Sequence, residues 1–152
     1  MKITNADKND IPELYRLQLL CFESEAEMIG SRMVPALMET EEENAVDFDN
    51  WTTLKLINDD NAIIGAIRYR HKENMIDVGR LMVHPDYRKR GLAQKLLAEV
   101  DAAYPDKTKE LYTCTKSWIN IRLYEKMGYV KFEEHKEESG LSFVYMRKAG
   151  EA

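Results

Sequence analysis

The residues best equipped for chemistry lie in one segment, Gly79-Arg80-Leu81-Met82-Val83-His84-Pro85-Asp86-Tyr87-Arg88-Lys89-Arg90-Gly91-Leu92-Ala93. The apolar run Leu81-Met82-Val83 reads as the end of a strand, Pro85 closes that strand, and a helix begins near Gly91. A strand thus delivers a basic, glycine-bearing loop directly into a helix N-terminus. Several backbone N–H groups are free there, and the peptide dipoles add partial positive charge. Gly91 and Ala93 carry little or no side chain, so an anion can approach closely, and Arg88, Lys89 and Arg90 add formal charge. The pattern suits a phosphate or pyrophosphate. It also suits a solvated basic turn that merely starts a helix, because short glycine motifs have many false positives. It is not a Walker loop, since no Gly-Lys-Ser/Thr follows, nor a dinucleotide fingerprint, since one glycine stands where three are needed.

Other reactive side chains are less organised. His71, His84 and His135 are scattered without metal-ligand spacing, so no metal site is expected. Cys114 has no paired histidine that would make it a nucleophile, and it reads, like Cys21, as a small buried residue. Trp51 and Trp118 read first as packing residues. The run Glu39 to Glu43 reads as a solvated helix or loop; if it flanked a cleft it would favour a cationic ligand.

The 152 residues fit one domain spanning 1–152, and 44% hydrophobic with 32% charged residues is a globular composition. A net charge of −5 argues against a dedicated nucleic-acid binder. No apolar run approaches the roughly 18 residues of a membrane helix, and the opening MKITNADKND has no apolar core of a signal peptide. Two cysteines imply no disulfide framework and fit a reducing cytoplasm.

The elements that must position the loop follow from periodicity and turn signals. Lys2–Asn5 reads as a strand. Asp10 with Glu13 reads as a capping box, Pro12 fits a first turn, and Leu14, Leu17, Leu20 and Cys21 recur at helical spacing. Glu25–Ser31 reads as a separate short helix broken near Gly30, followed by a proline-bearing segment, Val34–Leu37. Trp51–Ile57, Ala62–Tyr69 and Met75–Val83 read as an antiparallel meander, its first turn at Asn58-Asp59-Asp60-Asn61. A helix with the stripe Leu92, Leu96, Leu97, Val100 and Ala103 ends before Pro105. Leu111–Thr115 is a strand, Asn120–Met127 a helix stopped by Gly128, and Tyr129–Glu134 with Leu141–Arg147 a final hairpin around Ser139-Gly140. The class is mixed α/β, or α+β, with a mostly antiparallel sheet.

With these elements in place, the segment resembles the acyl-CoA loop of the GNAT superfamily of N-acetyltransferases. Arg88-x-x-Gly91-x-Ala93 satisfies that family's Arg/Gln-x-x-Gly-x-Gly/Ala motif, with Val83-x-Pro85 before it and Leu96-Leu97 after it. A second motif is similar to the family's Asn…Tyr-x-x-x-Gly-Phe/Tyr pattern: Asn120, Tyr124, Gly128 and Tyr129. The resemblance covers most of the chain and is strongest from about Ile63 to Tyr129.

The resemblance implies a sheet splayed in a V between the fourth and fifth strands and flanked by helices. It implies that Leu81, Met82 and Val83 face an acyl-pantetheine arm, and that Arg88, Lys89, Arg90, Gly91, Leu92 and Ala93 cradle the pyrophosphate. Asn120 contacts that arm or orients its surroundings. Tyr124 is the general acid, or else an aromatic packed under the sheet. Asp77 is the base through a water, or an ordinary strand-face acid, with Glu73 a weaker candidate. The implied activity is acetyl transfer from acetyl-CoA, a cosubstrate, to a primary amine of a small molecule or peptide, by direct attack in a ternary complex without a metal. The alternative is a module that holds acyl-CoA without turnover. A homodimer is common among relatives of this kind.

Overall fold

The structure, a computed structural model, describes residues 1–151. The two stretches of period-2 alternation around the polar Asn58–Asn61 turn form adjacent strands, as expected, and they set the middle of the sheet. β1 (Lys2–Asn5), β2 (Thr52–Ile57), β3 (Ile63–Lys72) and β4 (Met75–Val83) pair antiparallel in chain order. β5 (Thr108–Cys114) lies parallel to β4, so its connection crosses over the sheet through α4 (Leu92–Ala103). The last hairpin, β6 (Val130–Lys136) and β7 (Ser142–Lys148), adds β7 beside β5 and leaves β6 at the edge, giving the order β1-β2-β3-β4-β5-β7-β6. The remaining helices are α1 (Ile11–Ile29), α2 (Pro35–Met38), α3 (Glu41–Phe48) and α5 (Trp118–Lys126).

Each face of the sheet buries a different set of side chains. Ile67, Ile76 and Val78 meet Leu92, Leu96, Leu97 and Val100 of α4 on one face. Ala66 and Met82 meet Leu14, Leu17 and Cys21 of α1 on the other. Met82 changes sides relative to Val78 because β4 is bulged. Ala66 pairs with Met82 and Arg68 with Gly79, so the single residue Ile67 opposes both Arg80 and Leu81. Arg80 takes a left-handed conformation, φ 48°, to make the extra step. One inserted residue flips the side-chain parity of everything after it.

The structure corrects the helical boundaries of the first third. The capping box there is Asp7 with Asp10, on a 3-10 turn that precedes α1, and Glu13 instead accepts the Ile63 N–H at 2.8 Å. Ile11 to Ile29 is one helix, not two; its end is the left-handed Gly30, φ 77°, so the glycine expected to break a second helix terminates the first. Leu20 and Ala103, expected in apolar stripes, are exposed. Thr40 with Glu43 forms the true capping box of α3, and Glu41, Glu42 and Glu43 crowd its first turn, where acids favour the dipole. Gly128 stops α5 as expected: its φ is 99° and the following Tyr129 N–H donates to the Tyr124 carbonyl at 2.9 Å. Among the described residues no helix is long and apolar enough to cross a membrane.

Leu96 is fully buried between α4 and the sheet. Leu96→Ala is expected to lower unfolding free energy by about 2–5 kcal/mol, read from a urea titration with an unchanged m-value.

Candidate functional site

The site begins where β4 and β5 stop pairing. Their ladder holds only Met75 to Thr108, Ile76 to Lys109 and Asp77 to Glu110. From Gly79 onward the two strands diverge, and the V expected from the resemblance opens there. The Arg80 bulge steers β4 away, and the Trp51 ring lies against Gly79 beside the opening. Beyond the bulge, the Val83 carbonyl turns away from β3 and accepts from Cys21 Sγ at 3.3 Å and Arg88 Nε at 3.4 Å. Strand alternation turns the N–H groups of Leu81 and Val83 the same way, toward the gap.

The loop after β4 turns this edge into a helix N-terminus. Pro85–Tyr87 makes a single 3-10 turn, capped by His84 Nδ1 accepting the Asp86 N–H at 3.1 Å, so His84 belongs to the turn as expected. Lys89 and Gly91 are both left-handed, φ 63° and 75°. Among the described residues no side chain caps α4 at Gly91, and a β-carbon there would meet nothing within 4 Å. The first N–H groups of α4 therefore open onto free space beside the exposed Arg88, Lys89 and Arg90. A cavity of about 410 Å³ runs from this cradle along Leu81, Met82 and Val83, with Cys21 and Met28 of α1 opposite. The structure thus brings the sequence-expected Leu81, Met82, Val83, Arg88, Lys89, Gly91, Leu92, Ala93 and Asn120 to one cavity; Arg90 instead lays its guanidinium over the Tyr87 ring at 5.1 Å.

A second cavity, of about 310 Å³, lies on the other side of the splay. The two meet at Phe22, Glu25, Leu81 and Asn120, which line both. Tyr124 is packed in the α4-side core and reaches this second cavity through the gap between the strands. Burial, and after it the charge of Glu25, pushes its phenol pKa well up, so the hydroxyl keeps its proton at neutral pH. Asp77 also faces this cavity and is held by Arg70 Nε at 3.1 Å. Glu73 sits in the β3–β4 turn with a left-handed φ of 57° and lines neither cavity.

Sequence reasoning missed three participants. Glu25 lies near the end of α1, where its Oε1 accepts from Asn120 Nδ2 at 3.3 Å. Burial raises its carboxyl pKa against the opposing pull of Ser117, Asn120 and Arg80. Reading α1 as two helices hid it, since a helix through Ile29 puts Glu25 one turn past Cys21 on the face toward the loop. Arg68 and Arg70 were hidden in a strand read only for its apolar residues; they alternate with Ile67 and Tyr69 and point to the opposite face. Trp51 is not core packing but a platform, with the Arg68 and Arg70 guanidinium carbons 4.2 and 4.1 Å from its ring. Trp118 is exposed, with Arg122 over it at 5.3 Å.

The sequence profile of the acetyltransferase (GNAT) domain matches residues 20–149. The chain belongs to the GNAT acetyltransferase family. Its sequence is 28% identical over 130 residues to the UPF0157 protein YqkA of Bacillus subtilis (strain 168), covering 85% of this chain but 37% of that protein. The chain therefore spans little more than a third of that curated relative's length. Among solved structures, this GNAT fold is similar to the ribosomal-protein-S18-alanine N-acetyltransferase from Escherichia coli, with a TM-score of 0.79 and 16% identity over 99% of this chain and 95% of that one. It is likewise similar to PaiA N-acetyltransferase from Thermoplasma acidophilum in complex with coenzyme A, with a TM-score of 0.74 and 17% identity over 98% and 99%. Identities this low establish the GNAT fold, with its splayed sheet, rather than a shared acceptor.

Cys21 lines the first cavity of this GNAT domain, and burial pushes its thiol pKa to about 11, outweighing the nearby Arg88 charge. A thiol with so high a pKa is almost wholly protonated at neutral pH. Alkylation of Cys21 by iodoacetamide, followed by peptide mass mapping, is expected to be very slow near pH 7 and to accelerate steadily up to pH about 11; rapid labelling at neutral pH would contradict this burial.

Proposed function

We propose that the chain is an acetyl-CoA-dependent N-acetyltransferase acting on a primary amine by direct attack in a ternary complex. The observation that carries this reading is the meeting of the two cavities at Leu81, Glu25 and Asn120, beside an unpaired strand edge that ends in an uncapped helix. The first cavity suits an acyl-CoA. A pyrophosphate fits the free amides of Gly91 to Ala93 with Arg88 and Lys89, and an extended pantetheine arm fits the Leu81–Val83 edge. Asn120, bonded to Ser117 Oγ at 2.9 Å as well as to Glu25, orients the junction. The second cavity suits the acceptor.

The chemistry needs little beyond placement and charge stabilisation. The acceptor nitrogen forms a bond to the thioester carbonyl carbon. A backbone N–H of the splayed edge, at Leu81 or Val83, stabilises the negative charge that grows on the carbonyl oxygen. The carbon–sulfur bond then breaks, Tyr124 gives its proton to the departing sulfur, and the proton the former amine nitrogen still has to lose restores the phenol. Its elevated pKa suits an acid that must stay protonated until that moment, and a thiolate is a stable enough leaving group to need only a weak one.

An amine near neutral pH is mostly protonated and must lose a proton first. Three carboxylates line the acceptor cavity, Glu25, Asp47 and Asp77, and Asp47 is paired to Arg68 at 3.3 Å. Asp77, a candidate base from its strand position, is ion-paired to Arg70 at 3.1 Å, which ties its carboxylate to the guanidinium. Glu25 has the raised pKa a base needs and stands at the junction itself. Proton removal is therefore assigned to Glu25, and orientation of the amine to Asp77.

Tyr124→Phe is expected to lower kcat by about 10² or more while acetyl-CoA affinity, measured by calorimetry, stays within about twofold. Unchanged turnover would remove Tyr124 as the acid, and a protein that binds acetyl-CoA but acetylates no amine would be the non-catalytic alternative. The base must be ionised to act, so kcat/KM should rise with pH through the raised pKa of Glu25 and level above it. Glu25→Gln should abolish that rise and lower kcat, whereas Asp77→Asn should act mainly on KM; a pH–rate profile of the three proteins separates the two carboxylates.

A further inference from the structure

The charges around the second cavity are not those of a site built for a simple cation. Glu41, Glu42 and Glu43 sit in the exposed first turn of α3, away from the cavity, so the acidic run does not flank it. Glu39 alone turns inward, and its Oε1 is taken by Gln18 Nε2 at 2.6 Å, Asn44 Nδ2 at 2.9 Å and Arg80 at 3.5 Å. Three arginines line the cavity, Arg68, Arg70 and Arg80, together with the carboxylates Glu25, Asp47 and Asp77.

These guanidiniums are placed with donors to spare. Arg68 meets Asp47 at 3.3 Å, Arg70 meets Asp77 at 3.1 Å, and Arg80 meets Glu39 at 3.5 Å. Each guanidinium carries five N–H donors in a planar fork. Among the described residues, the buried Nε atoms of Arg68 and Arg80 have no hydrogen-bond partner. Arg68 and Arg80 also stand close enough to repel: burial, and then the Arg80 charge, lowers the Arg68 pKa to about 10 despite Asp47 and Glu39. Two crowded, half-satisfied cations in a cavity wall form a receptor for an anion, and stacking on Trp51 fixes the planes of Arg68 and Arg70 against collapse.

We infer that the acceptor is a compact zwitterion, an amino acid or its phosphonate counterpart, whose anionic group docks on the Arg68–Arg70–Arg80 side while its amine points to the junction at Glu25 and Tyr124. The inference rests on the acetyltransferase reading and names its acceptor class. The cavity, at about 310 Å³, is at the small end of ligand sites and matches a single amino acid. The cavity's acids and bases are then used together: Asp77 and Glu25 near the amine, the arginines on the anion. A fixed-fork cation also explains why three arginines, and not lysines, line the wall.

The test is a matched acceptor panel with acetyl-CoA, read by thiol release: free L-amino acids, their carboxamides, their decarboxylated amines and aminoalkylphosphonates. Alongside it, Trp51 fluorescence in a Trp118→Phe background reports acceptor binding whether or not turnover follows. The expected result is that an amino acid or aminophosphonate exceeds its carboxamide and its bare amine by about tenfold or more in kcat/KM, and quenches Trp51 where they do not. Arg68→Gln should erase that preference through KM, with kcat and acetyl-CoA affinity held; Arg70→Gln, at a more exposed side chain, serves if Arg68→Gln does not fold. Equal use of carboxamides, polyamines or peptide N-termini, or equal Trp51 quenching by the bare amines, would overturn the acceptor class and leave the acetyltransferase reading standing. Loss of acetyl-CoA binding to the wild-type chain would instead overturn the acetyltransferase reading itself.

Discussion

Everything at the site depends on backbone hydrogen bonds that β4 and β5 do not make to each other. A buried strand edge with unpaired N–H and C=O groups costs free energy, which is why sheet interiors are nearly always paired. Here the ladder ends at Asp77 and the separation is built in by covalent and steric means. An inserted residue at Arg80, in a left-handed conformation, bends β4. The opened edge keeps some of its groups occupied within the chain, since Cys21 and Arg88 both reach the Val83 carbonyl. The rest are available to an extended ligand that can act as a missing strand, and binding such a ligand recovers part of what the splay costs.

The same bulge connects the splay to the charges. By reversing side-chain parity, it lets Met82 pack under α1 while Asp77 and Gly79, before it, face the Arg68–Arg70 row. That face has a packed end at Ala66 and Met82 and a polar end at Arg68, Arg70 and Asp77. Burial at the polar end then tunes each titrating group in a direction that suits proton transfer. Tyr124, coming through from the α4 side, is kept protonated, and Glu25, coming from α1, is made more basic than a surface carboxylate. The two are linked, because the Glu25 charge is the second cause, after burial, of the Tyr124 shift.

The sequence revealed most where a local rule was decisive. The ends of β4 are legible because a turn precedes it and Pro85 follows, and the α4 start is legible because the apolar stripe begins at Leu92, directly after Gly91. Those two boundaries define the cradle, so the first cavity was legible almost residue by residue. The second cavity was not. It is lined from α1, α2, α3, β3, β4, β5, α5 and β7, whose side chains meet only through long-range packing, and no spacing along the chain announces that Glu25 lies beside Asn120. The splitting of α1 into two helices came from reading Gly30 as a break within a helix rather than as its end.

Asp77 shows why a strand position alone does not assign a chemical role. From the sequence it is an acid at the mouth of a cofactor loop, and nothing there records that Arg70 lies opposite in the next strand at hydrogen-bonding distance. The pairing changes what the carboxylate can do. A carboxylate fixed to a guanidinium is held in one orientation and serves as a positional anchor. The arginine gains equally from the pairing, because it is held with its remaining N–H groups directed by two constraints, the Asp77 carboxylate and the Trp51 ring. A cation so constrained loses little freedom on meeting a carboxylate or phosphonate, and an acceptor that brings its own anion arrives already oriented by the same residues that leave Glu25 free to act.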